Sequence, residues 1–391
     1  MNGGFEARYG KADGLRVFRA PGRVNLIGEH TDYNLGFVLP IALHMATYVG
    51  TAPAASGELR VYSEHADESV AWPVVELPRL KPRGDWTDYV AGVAQELIKA
   101  GYPLEPANLY IRSTVPEGSG LSSSAALEVS TALALLGGRA IDRVELAKLC
   151  RRAEVDFVGM PCGIMDQFIS VFGREHAAVR IDCRSLEHEA VALPDGIEIL
   201  AVNSMVKHAL GTSAYKQRTV ECATAVGLIA KKHPQVQSLR DVTVEMFEGV
   251  EAALPAVIAQ RARHVVTENA RVEDFVAASV AGHLERMGAL FVASHRSLQH
   301  DYEVSCEELD FLVDHALAME GVYGARMTGG GFGGCTVNLM RPEAAGAFRD
   351  AIAAAYQKRF GVVPQIYPCR PSAGAGEVTN LERIPAPGEL Q

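Results

Sequence analysis

Apolar positions recur along this chain with two periods, and the switches between them mark out its elements. Residues 15–20 predict a short strand ending at Pro21-Gly22. Residues 37–50 are apolar with β-branched and aromatic members and predict one or two strands. Residues 73–83 hold Pro73, Pro78 and Pro82 and predict an exposed connection. Over 88–100, Val90, Val93, Ala94 and Leu97 stand at helical spacing, and Gly101 stops the run. Leu109-Tyr110-Ile111 predicts a brief strand, and 125–136 a helix. Asp142 and Glu145 make a capping-box pattern. It opens a helix to about Val158, with Leu146, Leu149, Ala153 and Phe157 on one face.

Past Phe172 the texture changes. Strands are expected at 177–183 and 197–203, helices at 216–229, 276–294 and 306–318, and late strands at 337–340 and 362–368. Residues 371–376 read as a flexible loop and 385–391 as a tail. A chain of 391 residues is too long for one ordinary core. We expect two domains, 1–185 and 186–391, of α+β class, with no internal repeat.

Composition narrows the field. With 48% hydrophobic and 21% charged residues, the chain is globular and has no large disordered region. A net charge of −10 and scattered Lys and Arg argue against a nucleic-acid face or a polybasic membrane patch. The start lacks a secretory pattern, and no apolar run is long enough to span a bilayer. Seven well-separated cysteines without Cys-x-x-Cys read as reduced thiols of a cytoplasmic protein. The 12 histidines show no metal-ligand spacing.

The candidate chemistry lies in three glycine-punctuated segments at 22–33, 116–126 and 329–334. In the second, Pro116-Glu117-Gly118-Ser119-Gly120-Leu121-Ser122-Ser123-Ser124 feeds a helix. Glycines let backbone N–H groups approach a ligand, and a helix N-terminus attracts anions, so a nucleotide phosphate is expected there. The segment lacks the Gly-Lys-Ser/Thr ending of a Walker A loop. Asp166, within Gly163-Ile164-Met165-Asp166-Gln167-Phe168, is flanked by apolar residues. It either caps the following helix or pairs with a cation, for which Arg23 is a candidate. Glu154 beside Arg151 and Arg152 is a surface salt bridge or a Mg²⁺ ligand, with Ser124 able to add a hydroxyl. Glu29, His30 and Asp32 form an exposed turn or a set of partners for sugar hydroxyls. Five glycines within 329–334 pass backbone against a substrate or make a tight interdomain turn.

Together these segments resemble the GHMP small-molecule kinases, and within them the branch that phosphorylates galactose. The similarity rests on 22–34, on 116–126, on Met160-Pro161-Cys162-Gly163-Ile164-Met165-Asp166-Gln167, on 327–334 and on Trp86-Thr87-Asp88-Tyr89-Val90. It implies two α+β domains with the site in the cleft between them. It further implies ATP-dependent transfer to the 1-hydroxyl of D-galactose, giving α-D-galactose 1-phosphate and ADP, by a cytoplasmic monomer. By this resemblance Asp166 is the base, and Arg23 orients it and holds it ionised. Gly118, Ser119, Gly120, Leu121, Ser122, Ser123 and Ser124 wrap the ATP phosphates. Ser124 and Glu154 bind Mg²⁺. Glu29 and His30 face the 6-hydroxyl end of the sugar, while Asp32 and Tyr215 read the 3- and 4-hydroxyls with backbone help from Gly163. Many relatives have an unbroken Gly triplet where this chain has Gly118-Ser119-Gly120. Two other readings stay open: a sister kinase for N-acetylgalactosamine, arabinose or glucuronate, and a non-catalytic galactose and ATP sensor. Sensor relatives are degraded at the Ser-Ala pair that stands intact here as Ser124-Ala125.

Overall fold

The computed structural model describes residues 1–11, 14–207, 211–380 and 384–385. The stretch expected to lead into Tyr215 includes 208–210, and the expected tail includes 386–391; both lie outside the described residues. The strands are β1 (Arg16–Asn25), β2 (Phe37–Val38), β3 (Pro40–Pro53), β4 (Glu58–Ser63), β5 (Glu68–Pro73), β6 (Ala107–Ser113) and β7 (Ala177–Asp182). They continue with β8 (His188–Ala192), β9 (Glu198–Lys207), β10 (Val322–Thr328), β11 (Gly333–Met340), β12 (Gln365–Pro368) and β13 (Gly376–Glu377).

A mixed six-stranded sheet runs in the order β13-β1-β3-β6-β4-β5, with only β4 and β6 parallel. The helices Thr87–Lys99, Ser123–Leu136, Arg143–Arg152 and Met165–Phe172 bury their apolar faces with it in one cluster that includes Val90, Val93, Leu97, Val129 and Phe168. An antiparallel sheet, β10-β11-β9-β12, packs Leu200 and Val202 with Leu312, Phe348, Ile352 and Tyr356 of two later helices. A third sheet, β2-β7-β8, joins Phe37–Val38 to the hairpin of β7 and β8. Val24, Ile27, Leu39, Phe275, Phe291 and Val337 belong to one buried cluster, so the two larger sheets share a continuous apolar seam.

Several elements differ from the sequence reading. The first strand does not stop at Pro21-Gly22 but continues to Asn25, with its register shift at this point, where a sheet tolerates proline. The expected helix over 276–294 is the end of Ala256–Val280 and the start of Leu284–His300, interrupted at Ala281-Gly282-His283. The long helix Ala256–Val280 hides from periodicity because its buried face includes Arg261, His264 and Glu268. The connection over 73–83 contains a 3₁₀ turn, Val74–Arg79, with Leu77 fully buried.

The expected flexible loop at 371–376 is instead pinned along its length. Ser372 N–H donates to Ala42 O at 2.9 Å, Gly374 N–H to Gly173 O at 2.9 Å and Ala375 N–H to Ser170 O at 2.8 Å. Arg19 donates to Ala373 O at 2.8 Å. The segment then adds β13 to the edge of β1, where Arg16 and Glu377 pair at 2.6 Å. At Gly374 a Cβ would lie 2.2 Å from the backbone oxygen of Val171. Gly374→Ala is therefore expected to destabilise the fold by about 1–3 kcal/mol, read as a lower denaturation midpoint.

Candidate active site

Arg23 lies near the end of β1, and Asp166 is the second residue of the helix Met165–Phe172. They meet in a two-pronged ion pair: Nε donates to Oδ1 at 2.8 Å and Nη2 to Oδ2 at 2.6 Å. Such a fork fits a carboxylate in both distance and plane. Of the two alternatives left open for Asp166, the structure shows the cation partner. Burial disfavours the charge on Arg23, but Asp166, Glu29 and Asp32 outweigh it, and its pKa is raised. Its remaining arm donates to Gly120 O at 2.5 Å, and its backbone N–H to Leu121 O at 3.0 Å. The Ser122 hydroxyl also donates to Asp166 Oδ2. One ion pair thus joins the first glycine segment, the second, and the Asp166 helix.

Two cavities meet at this pair. The larger, about 450 Å³, is lined by Gly118, Gly120, Ser122, Ser123, Ser124 and Glu154, by the third segment, and by Ser63, His65, Trp86 and Tyr89. The smaller, about 140 Å³, is lined by Glu29, His30, Asp32, Cys162, Gly163 and Tyr215. Arg23, Asp166, Gly329 and Gly330 belong to both. Ser119 and Leu121 do not line the larger cavity with their side chains. Ser119 is fully buried with its hydroxyl on Pro116 O at 2.7 Å, and Leu121 enters the apolar seam. The serine that interrupts the glycines therefore faces away from the cavity.

Each glycine-rich segment contributes one non-glycine residue in the left-handed region: His30 at φ 61°, Ser122 at 59° and Phe332 at 58°. Such conformations are costly for ordinary side chains and concentrate where a site over-determines the backbone. Ser122 is also the residue just before the helix Ser123–Leu136, whose free N–H end opens toward the larger cavity.

Glu154 is not on a polar helix face. The α-helix ends at Arg152, and Glu154 lies in a π-helical turn, Ala153–Val158, where it is buried. Arg152 turns outward to Glu96 and Glu145. Gln167 Nε2 donates to Glu154 Oε2 at 2.6 Å, Cys162 Sγ lies 3.5 Å away, and Ser124 also bonds it. Burial, reinforced by Asp166, raises the pKa of Glu154. Burial, reinforced by Glu154, raises that of Glu128 well above the carboxylate range. A hydroxyl and a buried carboxylate with only neutral partners, beside a phosphate-sized opening, fit a hard divalent cation that completes its shell with phosphate and water.

In the smaller cavity Asp32 lies against Gly163, where a Cβ would fall 1.7 Å from Oδ2. Only glycine fits there. Asp32 accepts from the Tyr33 N–H at 2.9 Å, and its pKa is raised to about 6, first by burial and then by Asp166. His30 is kept neutral, its pKa lowered to about 3 chiefly by burial. Its Nδ1 meets Tyr33 OH at 2.9 Å, and its ring packs against those of Tyr215 and Tyr302 at 5.4 and 4.8 Å. Glu29 Oε1 accepts from Gly329 N–H at 2.8 Å and Thr328 Oγ1 at 2.9 Å, so it ties the first segment to the third while lining the cavity.

Sequence reasoning missed the layer behind these residues. Glu128 and Gln167 are fully buried between the two catalytic-side helices. Tyr302 donates to or accepts from Tyr33 at 2.7 Å, and Arg326 holds Asn25 O and Leu26 O at 3.0 and 2.8 Å. The signal available was a polar residue at a helical position otherwise reserved for the core, as at Glu128 between Leu127 and Val129.

Known proteins match the chain along most of its length. Residues 4–53 match the galactokinase galactose-binding signature, 88–174 the GHMP kinases N terminal domain, and 275–358 the GHMP kinases C terminal model. The galactokinase of Roseiflexus sp. strain RS-1 is 43% identical over 381 residues, covering 97% of each chain. That of Thermotoga maritima is 44% identical over 347 residues, 88% of this chain and 95% of its own. The crystal structure of Lactococcus lactis galactokinase complexed with galactose aligns with a TM-score of 0.92 at 34% identity, covering 96% of this chain and 98% of that one. The Methanococcus jannaschii mevalonate kinase, at 17% identity, shares the fold with a TM-score of 0.64. The fold is that of a GHMP small-molecule kinase, an α+β enzyme of ATP-dependent phosphoryl transfer. The chain belongs to the galactokinase family.

The raised pKa of Asp32 has a cost. The folded state binds a proton there more tightly than the unfolded chain, so stability falls as pH rises from about 4 to about 6 and stays lower above. Asp32→Asn is expected to melt higher than wild type at pH 7.5, with the difference closing below about pH 4, as thermal unfolding across pH would read.

Proposed function

We propose that this protein transfers the γ-phosphoryl group of ATP to the 1-hydroxyl of D-galactose, giving α-D-galactose 1-phosphate and ADP. The observation that carries this reading is the Arg23–Asp166 pair at the junction of a nucleotide-sized cavity and a sugar-sized one. Galactose fits the smaller cavity, where Asp32, His30, Glu29 and Tyr215 offer acceptors and donors to its hydroxyls and Gly163 leaves room for Asp32. ATP takes the larger, with its phosphates over Gly118, Gly120 and Ser122 to Ser124, and with backbone N–H groups of the loop drawing off charge.

Phosphoryl transfer through a loose transition state asks chiefly for alignment and charge neutralisation. Asp166 orients the sugar 1-hydroxyl and takes its proton as the O1–P bond forms and the bond to the leaving ADP oxygen breaks. Arg23 fixes that carboxylate by its fork and places positive charge next to the transferring group. Ser122 braces the same oxygen from the phosphate loop, so the base and the loop keep one relative position. Ser124 and Glu154 would hold Mg²⁺, which supplies charge neutralisation at the β- and γ-phosphate oxygens. We place the division of the kinase domains near residue 185, in the turn between β7 and β8, although these two strands pair across it and β13 returns to the first sheet. We propose a monomer as the active unit, and among the described residues no helix is long and apolar enough to cross a membrane. We place the enzyme in the cytoplasm, in line with its unpaired cysteines.

Asp166→Asn is expected to keep galactose and ATP binding by calorimetry but to lower kcat by about 10²–10⁴-fold in a coupled ADP-release assay. Near-normal turnover would remove Asp166 from the base role.

A further inference from the structure

We propose that Gln167 is the positioning residue for Glu154: its amide, anchored on Glu128, fixes the orientation in which Glu154 receives a divalent cation. The inference rests on the metal role given to Glu154 above. Gln167 follows Asp166 in the helix Met165–Phe172 and is fully buried. Its Nε2 donates to Glu154 Oε2 at 2.6 Å and to Glu128 Oε2 at 3.0 Å, which uses both protons of the amide nitrogen. Its Oε1 has no hydrogen-bond partner. The amide is therefore oriented by its nitrogen's two hydrogen bonds to these carboxyl groups. Glu128 stands four residues after Ser124 on the helix Ser123–Leu136, so the anchor and the proposed hydroxyl ligand share a helix face.

The choice of an amide has a physical logic. Asp166 is fixed by a permanent cation, Arg23. The partners of Glu154 are Gln167, Cys162 and Ser124, all uncharged. A Lys or Arg in that place would neutralise Glu154 and compete with a metal ion. An amide orients the carboxylate and leaves its charge for the cation. Because Asp166 and Gln167 are neighbours on one short helix, the same element sets the position of the proposed base and of the metal ligand.

The test is Mn²⁺ binding to the full chain in the presence of ADP, followed by electron paramagnetic resonance, for wild type, Gln167→Met, Gln167→Asn and Glu154→Ala. Outer partners of metal ligands are typically worth about 10–100-fold in affinity. Gln167→Met is expected to weaken Mn²⁺ by that factor while leaving the calorimetric Kd for galactose unchanged. In turnover it should raise the KM for Mg²⁺ with kcat at saturating Mg²⁺ little altered. Gln167→Asn keeps the polarity but is one methylene too short to reach both carboxylates; it should behave alike, and it carries the test if the Met variant does not fold. Normal Mn²⁺ affinity in both Gln167 variants, with loss in Glu154→Ala, would overturn the positioning role and leave the metal role standing. Normal affinity in Glu154→Ala would overturn both. Equal losses of galactose and Mn²⁺ affinity in the Gln167 variants would reduce Gln167 to a general packing role and also overturn the inference.

Discussion

The fork between Arg23 and Asp166 is the constraint on which the rest of the site is built. A buried guanidinium and a half-buried carboxylate are each expensive to dehydrate, and they are tolerated because each completes the other's hydrogen bonds. Meeting that requirement fixes three separate stretches of chain at once. The end of β1 supplies the arginine, the Met165–Phe172 helix supplies the aspartate, and the phosphate loop closes on both through Gly120 O and the Ser122 hydroxyl. The left-handed backbone at Ser122 is the local strain that this closure demands.

Charge in the cleft is unevenly balanced. Asp166 has its cation, whereas Glu154, Glu128 and Asp32 are all pushed toward their neutral forms, first by burial and then by neighbouring carboxylates, Asp166 among them in each case. A surplus of carboxylate around the two cavities makes the protein less stable than a sequence tuned for stability alone. The same surplus creates the attraction for a cation on one side and for hydroxyl donors on the other. Binding relieves the repulsion that folding leaves in place.

The parts of the site that were legible in the sequence are those built from backbone conformation. Glycine clusters and a serine run leading into a helix are local features, so 22–33, 116–126 and 329–334 could be picked out without a structure, and all three line the cleft. The long-range features were less visible. Glu154 follows two arginines and reads as surface, but the π-helical turn after Arg152 rotates it inward. The helix Ala256–Val280 was missed because its core face includes charged groups that depend in part on partners from other elements: Glu268 pairs with Arg271 of the same helix but also accepts from Ser294 and the Gly28 N–H. The helix Ala345–Phe360 shows only Phe348, Ile352 and Tyr356 to the core, too thin a stripe among alanines to announce itself.

The edge strand β13 places residues 376–377 beside Phe18 and Arg19, although more than three hundred and fifty positions separate them in the chain. During synthesis, then, the amino-terminal sheet emerges long before its last strand exists. The open side of β1 must stay unpaired while the intervening helices are translated, and an exposed strand edge invites association with other chains. Nascent molecules on one messenger are thus most vulnerable to clumping late in translation, in the interval before the segment at 371–377 leaves the ribosome and seals that border.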